Sequence, residues 1–185
     1  MRFFTLNDDI DHPGRWFLQA PVNRLGTEVD PRLFTEGNPV HVTEPLAVGL
    51  RSAGHPLDFT FADFDMPVVR RATADIFSEV APQDVQRIPT AVKGYDGEYE
   101  ILNIVTRRPA IDERRSMITR WTEEDGWPEK VGKYFMVARL RVDPQRANGV
   151  GIFRLTGWEI AVVVSDDIRR ALVEAEVTGV KFTEA

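Results

Sequence analysis

The chain contains no cysteine, which excludes disulfides, thiolate metal sites and cysteine nucleophiles and suits a reducing cytoplasm. Long apolar runs are missing as well. Ile160–Val164, five residues, falls far short of the ~20 that a membrane helix needs. The opening Met1–Leu6 stretch is cut off by Asn7-Asp8-Asp9 before a signal-peptide core can form, so a cytoplasmic protein is expected. Histidine is scarce: His12, His41 and His55 are scattered, and none stands at the i, i+4 spacing of a helical zinc site. Positive charge is the minority sign, with 23 Lys and Arg against 29 Asp and Glu. The average surface therefore repels nucleic acid and anionic lipid and suits a basic protein partner.

The 185 residues suit one domain, long enough to bury ~70% of the surface that the unfolded chain exposes. Local signals agree best between Gly151 and Phe182. Ile152–Leu155 stops at the turn pair Thr156-Gly157, and Ile160–Val164 is the β-branched run of a strand buried on both faces. Ser165 stands at a helix N-cap, with Asp166 and Asp167 facing the positive end of the dipole. Ile168, Ala171, Leu172 and Ala175 then draw one apolar stripe. Gly179 is read as the helix stop, before a last short strand, Val180–Phe182.

Before this region, Arg2–Leu6 and Trp16–Gln19 read as strands joined by a turn at His12-Pro13-Gly14. Residues 20–45 are irregular, and Leu46–Leu50 is a strand candidate. Phe59 and Phe61 share one face of an extended segment. Asp65 as cap and Pro67 in the first turn open a helix that steps through Val68, Ala72, Ile76 and Val80 and ends at Pro82. Gln86–Val92 is a strand whose Pro89 argues for a sheet edge. Tyr99–Val105, Arg114–Trp121 and Tyr134–Val142 follow as strands, the last with Tyr134, Met136, Ala138, Leu140 and Val142 on one side. The expectation is a single α+β domain over residues 1–185, with helices at about 67–80 and 166–176 on a mostly antiparallel sheet.

Chemical motifs fail on spacing. Gly49–Gly54 sets its first glycine one residue too far from Ser52 for a nucleophile elbow. Gly126–Lys133 has five residues between its glycines, where a phosphate loop has four, and Tyr134 where that loop has Ser or Thr. Asp63 with Asp65, or Glu98 with Glu100, would share a strand face and make a carboxylate pair for acid–base or metal chemistry, although no second pair stands opposite. Arg107, Arg108, Arg114, Arg115 and Arg120 form the one basic concentration, read as a salt-bridged surface. No cofactor or metal motif emerges. The feature that points to binding is Trp121-Thr122-Glu123-Glu124-Asp125-Gly126-Trp127-Pro128. Tryptophan is enriched in interface hot spots and the acids would steer a basic partner, so Trp121, Glu123, Glu124, Asp125 and Trp127 are candidate partner contacts. The competing reading places Trp121 in the core and Trp127 as a lid over it.

Several segments together resemble immunity proteins of bacterial polymorphic toxin systems, family eleven in that naming, abundant in myxobacteria. They are Asp58–Phe64 with Pro67-Val68-Val69, Asp84–Pro89, Glu100–Val105, Ile111–Ser116, Ile152–Trp158, Ile160–Ser165 and Thr178–Phe182. The resemblance spans roughly residues 45–184 and is weak over 1–45. It implies a small cytoplasmic, non-enzymatic protein that binds and neutralises a cognate toxin, encoded nearby, with no cofactor, nucleic acid or membrane. A regulatory or scaffolding module, or a small metal-dependent enzyme using a pair such as Asp63 and Asp65, are the other readings.

Overall fold

The computed structural model describes all 185 residues, Met1–Ala185. In chain order, the first elements are β1 (Phe3–Asp8), β2 (Phe17–Val22), β3 (Leu46–Ser52), β4 (Phe59–Ala62), β5 (Met66–Arg70), α1 (Arg71–Val80), β6 (Val85–Val92) and β7 (Tyr99–Ile104). Then come β8 (Arg107–Arg108), β9 (Met117–Arg120), β10 (Tyr134–Ala138), β11 (Ile152–Leu155), β12 (Trp158–Ser165), α2 (Asp166–Glu174) and β13 (Val180–Glu184).

The β12–α2 unit forms as its residues dictate. Ser165 Oγ accepts a hydrogen bond from the Ile168 backbone N–H at 3.4 Å, satisfying one of the four donors that a helix start leaves free. Asp166 and Asp167 ion-pair with Arg169 and Arg170 one turn on. Ile168 and Leu172 are the buried positions of the stripe. The helix ends at Glu174, where Ala175 caps it and Glu176 turns left-handed with φ 50°. Gly179 therefore terminates no helix and serves the loop beyond it.

Two larger sheets face each other. One has the strand order β13-β1-β12-β11-β8 and the other β2-β3-β6-β7-β5-β4; β9 and β10 form a separate two-stranded ribbon. All pairings are antiparallel except β3 with β6 and β8 with β11. Alternate residues of a strand point to opposite sheet faces, and here both faces are buried. Phe4, Leu6, Val162 and Val164 of the first sheet meet Phe59, Val69, Leu102 and Ile104 of the second, with Phe77 of α1 and Leu172 of α2 between. Val68, Ile88 and Ile101 face the other way, towards Trp16, Leu18 and Phe34. Phe3, Phe153 and Val163 point out of the opposite side of the first sheet, where Ile118, Tyr134 and Val137 of the ribbon cover them. The protein is thus an α+β fold with two helices and mostly antiparallel sheets.

Several local expectations are corrected. The helix expected at 67–80 starts at Arg71, because Met66–Arg70 pairs with both β4 and β7. β1 and β2 form no hairpin; they join different sheets. Pro89 does not mark an outer strand. β6 lies between β3 and β7, but pairs with β3 only from Thr90 to Val92, so Pro89 sits just outside that ladder. Beside the uncovered half, the Gln86 side chain bonds the Val40 N–H and C=O at 2.9 and 2.7 Å, taking the place of a strand's peptide group. Of Ile160–Val164, only Val162–Val164 is fully buried, and Ile160 is exposed.

Candidate partner interface

The ribbon of β9 and β10 stands on the first sheet and presents one face to solvent. Its register pairs Val137 with Ile118 and Ala138 with Met117, and slips between Tyr134 and Met136. A bulge leaves one residue of the longer strand without an opposite number. Here Tyr134 and Val137 both face the core, so Phe135 and Met136 both face outward. Arg139, at φ 47°, breaks the strand again, and the single-sided alternation expected from Tyr134 to Val142 is replaced by these two interruptions. Met136, expected on the inner side, is exposed.

The hairpin loop closes through Trp121 N–H to the Lys133 carbonyl at 3.0 Å and Gly132 N–H to the Trp121 carbonyl at 2.9 Å. Glu123–Asp125 form one 3-10 turn. Asp125 is spent on that turn. Its Oδ2 accepts from the Thr122 N–H at 2.7 Å and the Thr122 hydroxyl at 2.8 Å, and these bonds hold its carboxyl below the usual range. Glu123 and Glu124 are exposed and free of ion pairs, available to a partner.

The two tryptophans come together, though not as core and lid. Lys130 Nζ lies 4.8 Å from the Trp121 ring centre and 4.2 Å from that of Trp127, a distance at which the ring quadrupole attracts a cation. Trp121 also meets Phe135 edge-to-face at 4.6 Å. Neither tryptophan belongs to a core cluster. Met117, Trp127, Val131, Phe135 and Met136 are each between 41% and 55% exposed. Scattered exposed apolar residues are ordinary, but five large ones on one short ribbon and its loop make this the candidate interaction surface. Met136 is not legible as a candidate contact, because the bulge that turns it outward has no signature in the sequence.

The other candidate groups lie elsewhere. Asp63 and Asp65 share no strand face, since they flank Phe64 in the tight turn between β4 and β5. Asp63 accepts from the Ala20 N–H at 2.9 Å and pairs with Arg51. Glu98 and Glu100 are bridged by Arg71, at 2.7 and 3.5 Å, and Glu100 is further held by Arg87 at 2.6 Å. The basic cluster divides: Arg115 and Arg120 pair with Asp112 and Glu113, whereas Arg107, Arg108 and Arg114 meet no carboxylate. No three His, Asp or Glu side chains gather in a way that could hold a metal ion. No helix is long and apolar enough to cross a membrane.

No curated protein matches this chain. The model of an immunity protein family, Imm11, matches residues 2–185, taking in the first 45 residues that carry little of the motif resemblance. The chain belongs to the Imm11 immunity protein family.

Proposed function

We propose that the protein binds a cognate toxin directly and neutralises it without catalysis of its own, acting in the cytoplasm on a toxin encoded close to it. The observation that carries this reading is the outward face of the β9–β10 ribbon. It offers the exposed apolar side chains of Trp127, Phe135 and Met136, and the hairpin loop adds the exposed acids Glu123, Glu124 and Glu129 beside Lys130 and Lys133. An interface of this kind binds through the aromatic anchors, while the charged rim sets encounter rate and choice of partner. Membership in an immunity family supplies the class of partner, and the unpaired acids Glu123, Glu124 and Glu129 call for basic groups opposite them.

Trp127→Ala is expected to weaken toxin binding about 30-fold or more, the effect of a hot-spot truncation. The unfolding midpoint should stay where it is, because Trp127 packs on Lys130 and touches no core cluster. Calorimetric titration of the toxin with wild-type and variant protein, beside a urea unfolding curve, checks both halves. Unchanged affinity would remove the ribbon from the interface. Parallel loss of affinity and stability would make Trp127 a structural residue.

A further inference from the structure

β1 runs beside β12 only as far as the pair Leu6–Val162. Beyond that point β1 continues against β13, and residues 158–161 of β12 have no strand along that edge. A groove of about 530 Å³ opens there. Leu6 and Phe61 line one side, Trp158 and Ile160 the β12 side, and Val137 and Leu140 the side nearest the ribbon. The groove therefore borders the inner side of the ribbon, through Val137, and not its outward apolar face.

Two carboxylates enter this apolar lining, Asp8 and Asp65. Asp8 Oδ2 holds Arg15 at 2.8 Å, and its Oδ1 has no hydrogen-bond partner. The Asp65 carboxylate makes neither a hydrogen bond nor an ion pair within the chain. Only its backbone carbonyl is used, accepting from Arg154 Nη2 at 3.1 Å. The fully buried Arg154 gives Nη1 to the Glu159 carbonyl at 2.6 Å, its Nε has no partner, and it acts on the Asp65 carboxylate only through space. Burial raises the Asp65 carboxyl above its ordinary range, and the Arg154 charge opposes that rise without cancelling it.

The backbone around Asp65 is unusual. Phe64 and Asp65 are both left-handed, at φ 57° and 55°, a conformation that costs a residue with a side chain roughly 1–2 kcal/mol. Asp63, tied to the Ala20 N–H, and Arg154, tied to the Asp65 carbonyl, hold the turn in place. Strain of this kind persists where the surroundings over-determine it, and it clusters at ligand contacts. The result is a half-buried carboxylate with no cation touching it, in a lining otherwise mostly apolar. Its oxygens remain in reach of water, and a cationic guest would replace that partial hydration with a charge-assisted hydrogen bond.

We propose that this groove receives a basic side chain, flanked by apolar residues, from the partner protein, with Asp65 as its counter-ion and Trp158 and Ile160 against its stem and neighbours. The proposal deepens the reading of the protein as a toxin binder and rests on it: the toxin would contact the groove at the inner edge of the ribbon as well as the ribbon's outer face. Charge complementarity picks the guest: an acidic or neutral segment would leave Asp65 unpaired in a drier site.

The test is a nuclear magnetic resonance titration of the full chain, following the assigned Trp158 indole N–H. The probes are the blocked tripeptides acetyl-Leu-Arg-Leu-amide and acetyl-Leu-Gln-Leu-amide. The arginine peptide should shift the Trp158 signal and bind about tenfold more tightly than the glutamine peptide, as loss of a charged hydrogen bond predicts. In Asp65→Asn that preference should vanish. Asparagine tolerates the left-handed region, so signals remote from the groove should be unmoved, separating loss of charge from loss of fold. No shift at millimolar peptide, equal affinities in the wild type, or a preference that survives Asp65→Asn would each overturn the proposal. No toxin enters this experiment, so its failure is distinguishable from failure of the ribbon reading, which the Trp127→Ala titration tests separately.

Discussion

Trp16→Ala is expected to lower the unfolding free energy by about 3–5 kcal/mol, the range for truncating a buried large aromatic. Trp16 is completely inaccessible to solvent and sits where β2, β4 and the 95–99 turn converge. Its Nε1 donates to Thr60 Oγ1 at 2.8 Å, and Thr60 is buried too. Tyr95 meets the ring edge-to-face at 5.0 Å and Tyr99 at a tilt at 5.4 Å. The alanine variant loses the packing, opens a cavity and strands a buried hydroxyl. Trp16→Phe separates these contributions. It keeps much of the ring volume but still orphans Thr60, and should cost about 1–3 kcal/mol. Urea unfolding of the three proteins measures the series; a Trp16→Ala loss below that of Trp16→Phe would contradict this account of the second core cluster.

Gly179→Ala is the second large effect expected, about 3 kcal/mol from two sources of similar size. Gly179 has φ +88°, and an L side chain in that region costs roughly 1–2 kcal/mol. A Cβ there would also lie 2.1 Å from the Phe59 carbonyl oxygen, well inside contact. Forcing backbone apart in a packed region costs roughly 1–3 kcal/mol more. The position is a seam between the two large sheets. The Asp9 N–H donates to the Gly179 carbonyl at 3.0 Å, and the Phe59 N–H to the Thr178 carbonyl at 3.1 Å. Thr178 is further clasped by Asp58, its N–H and hydroxyl donating to Oδ2 at 3.0 and 2.7 Å. Amide hydrogen exchange should accordingly rise at Asp9 and Phe59 in the variant, alongside the lower unfolding midpoint. A variant as stable as the wild type would mean that the seam carries little of the joint between the sheets.

Stretches whose local signals agree fold as they read. In β12–α2 the cap, the first-turn acids and the apolar stripe point one way, and tertiary packing follows them. Where one residue pattern serves two periods, packing decides. Val68 and Val69 fit the helical step of Val68, Ala72 and Ile76, but as β-branched neighbours they also bury on opposite faces of a strand, and the partners β4 and β7 select the strand. Turns without glycine were the harder case. Asp63-Phe64-Asp65 offers two aspartates, which turns favour, but a phenylalanine gives no sign of the left-handed conformation that makes the β4–β5 hairpin and gives Asp65 its place in the groove. The ribbon was half legible. Trp121 to Pro128 shows an aromatic and acidic loop, yet the Lys130 contact with both rings and the bulge that exposes Met136 have no sequence signature. Arg154 carries no local signal in the sequence, although its buried guanidinium, lowered by burial to a pKa of about 10, ties the hairpin turn to β12.

The most direct test of the central claim is growth of a bacterial host expressing the proposed toxin, the product of the gene next to this one, with and without this protein. Wild-type protein should restore growth and co-purify with the toxin, whereas Trp127→Ala, folded but weakened at the ribbon, should protect poorly at equal expression. A host that is killed regardless of the wild-type protein, with no complex recovered, would contradict direct neutralisation.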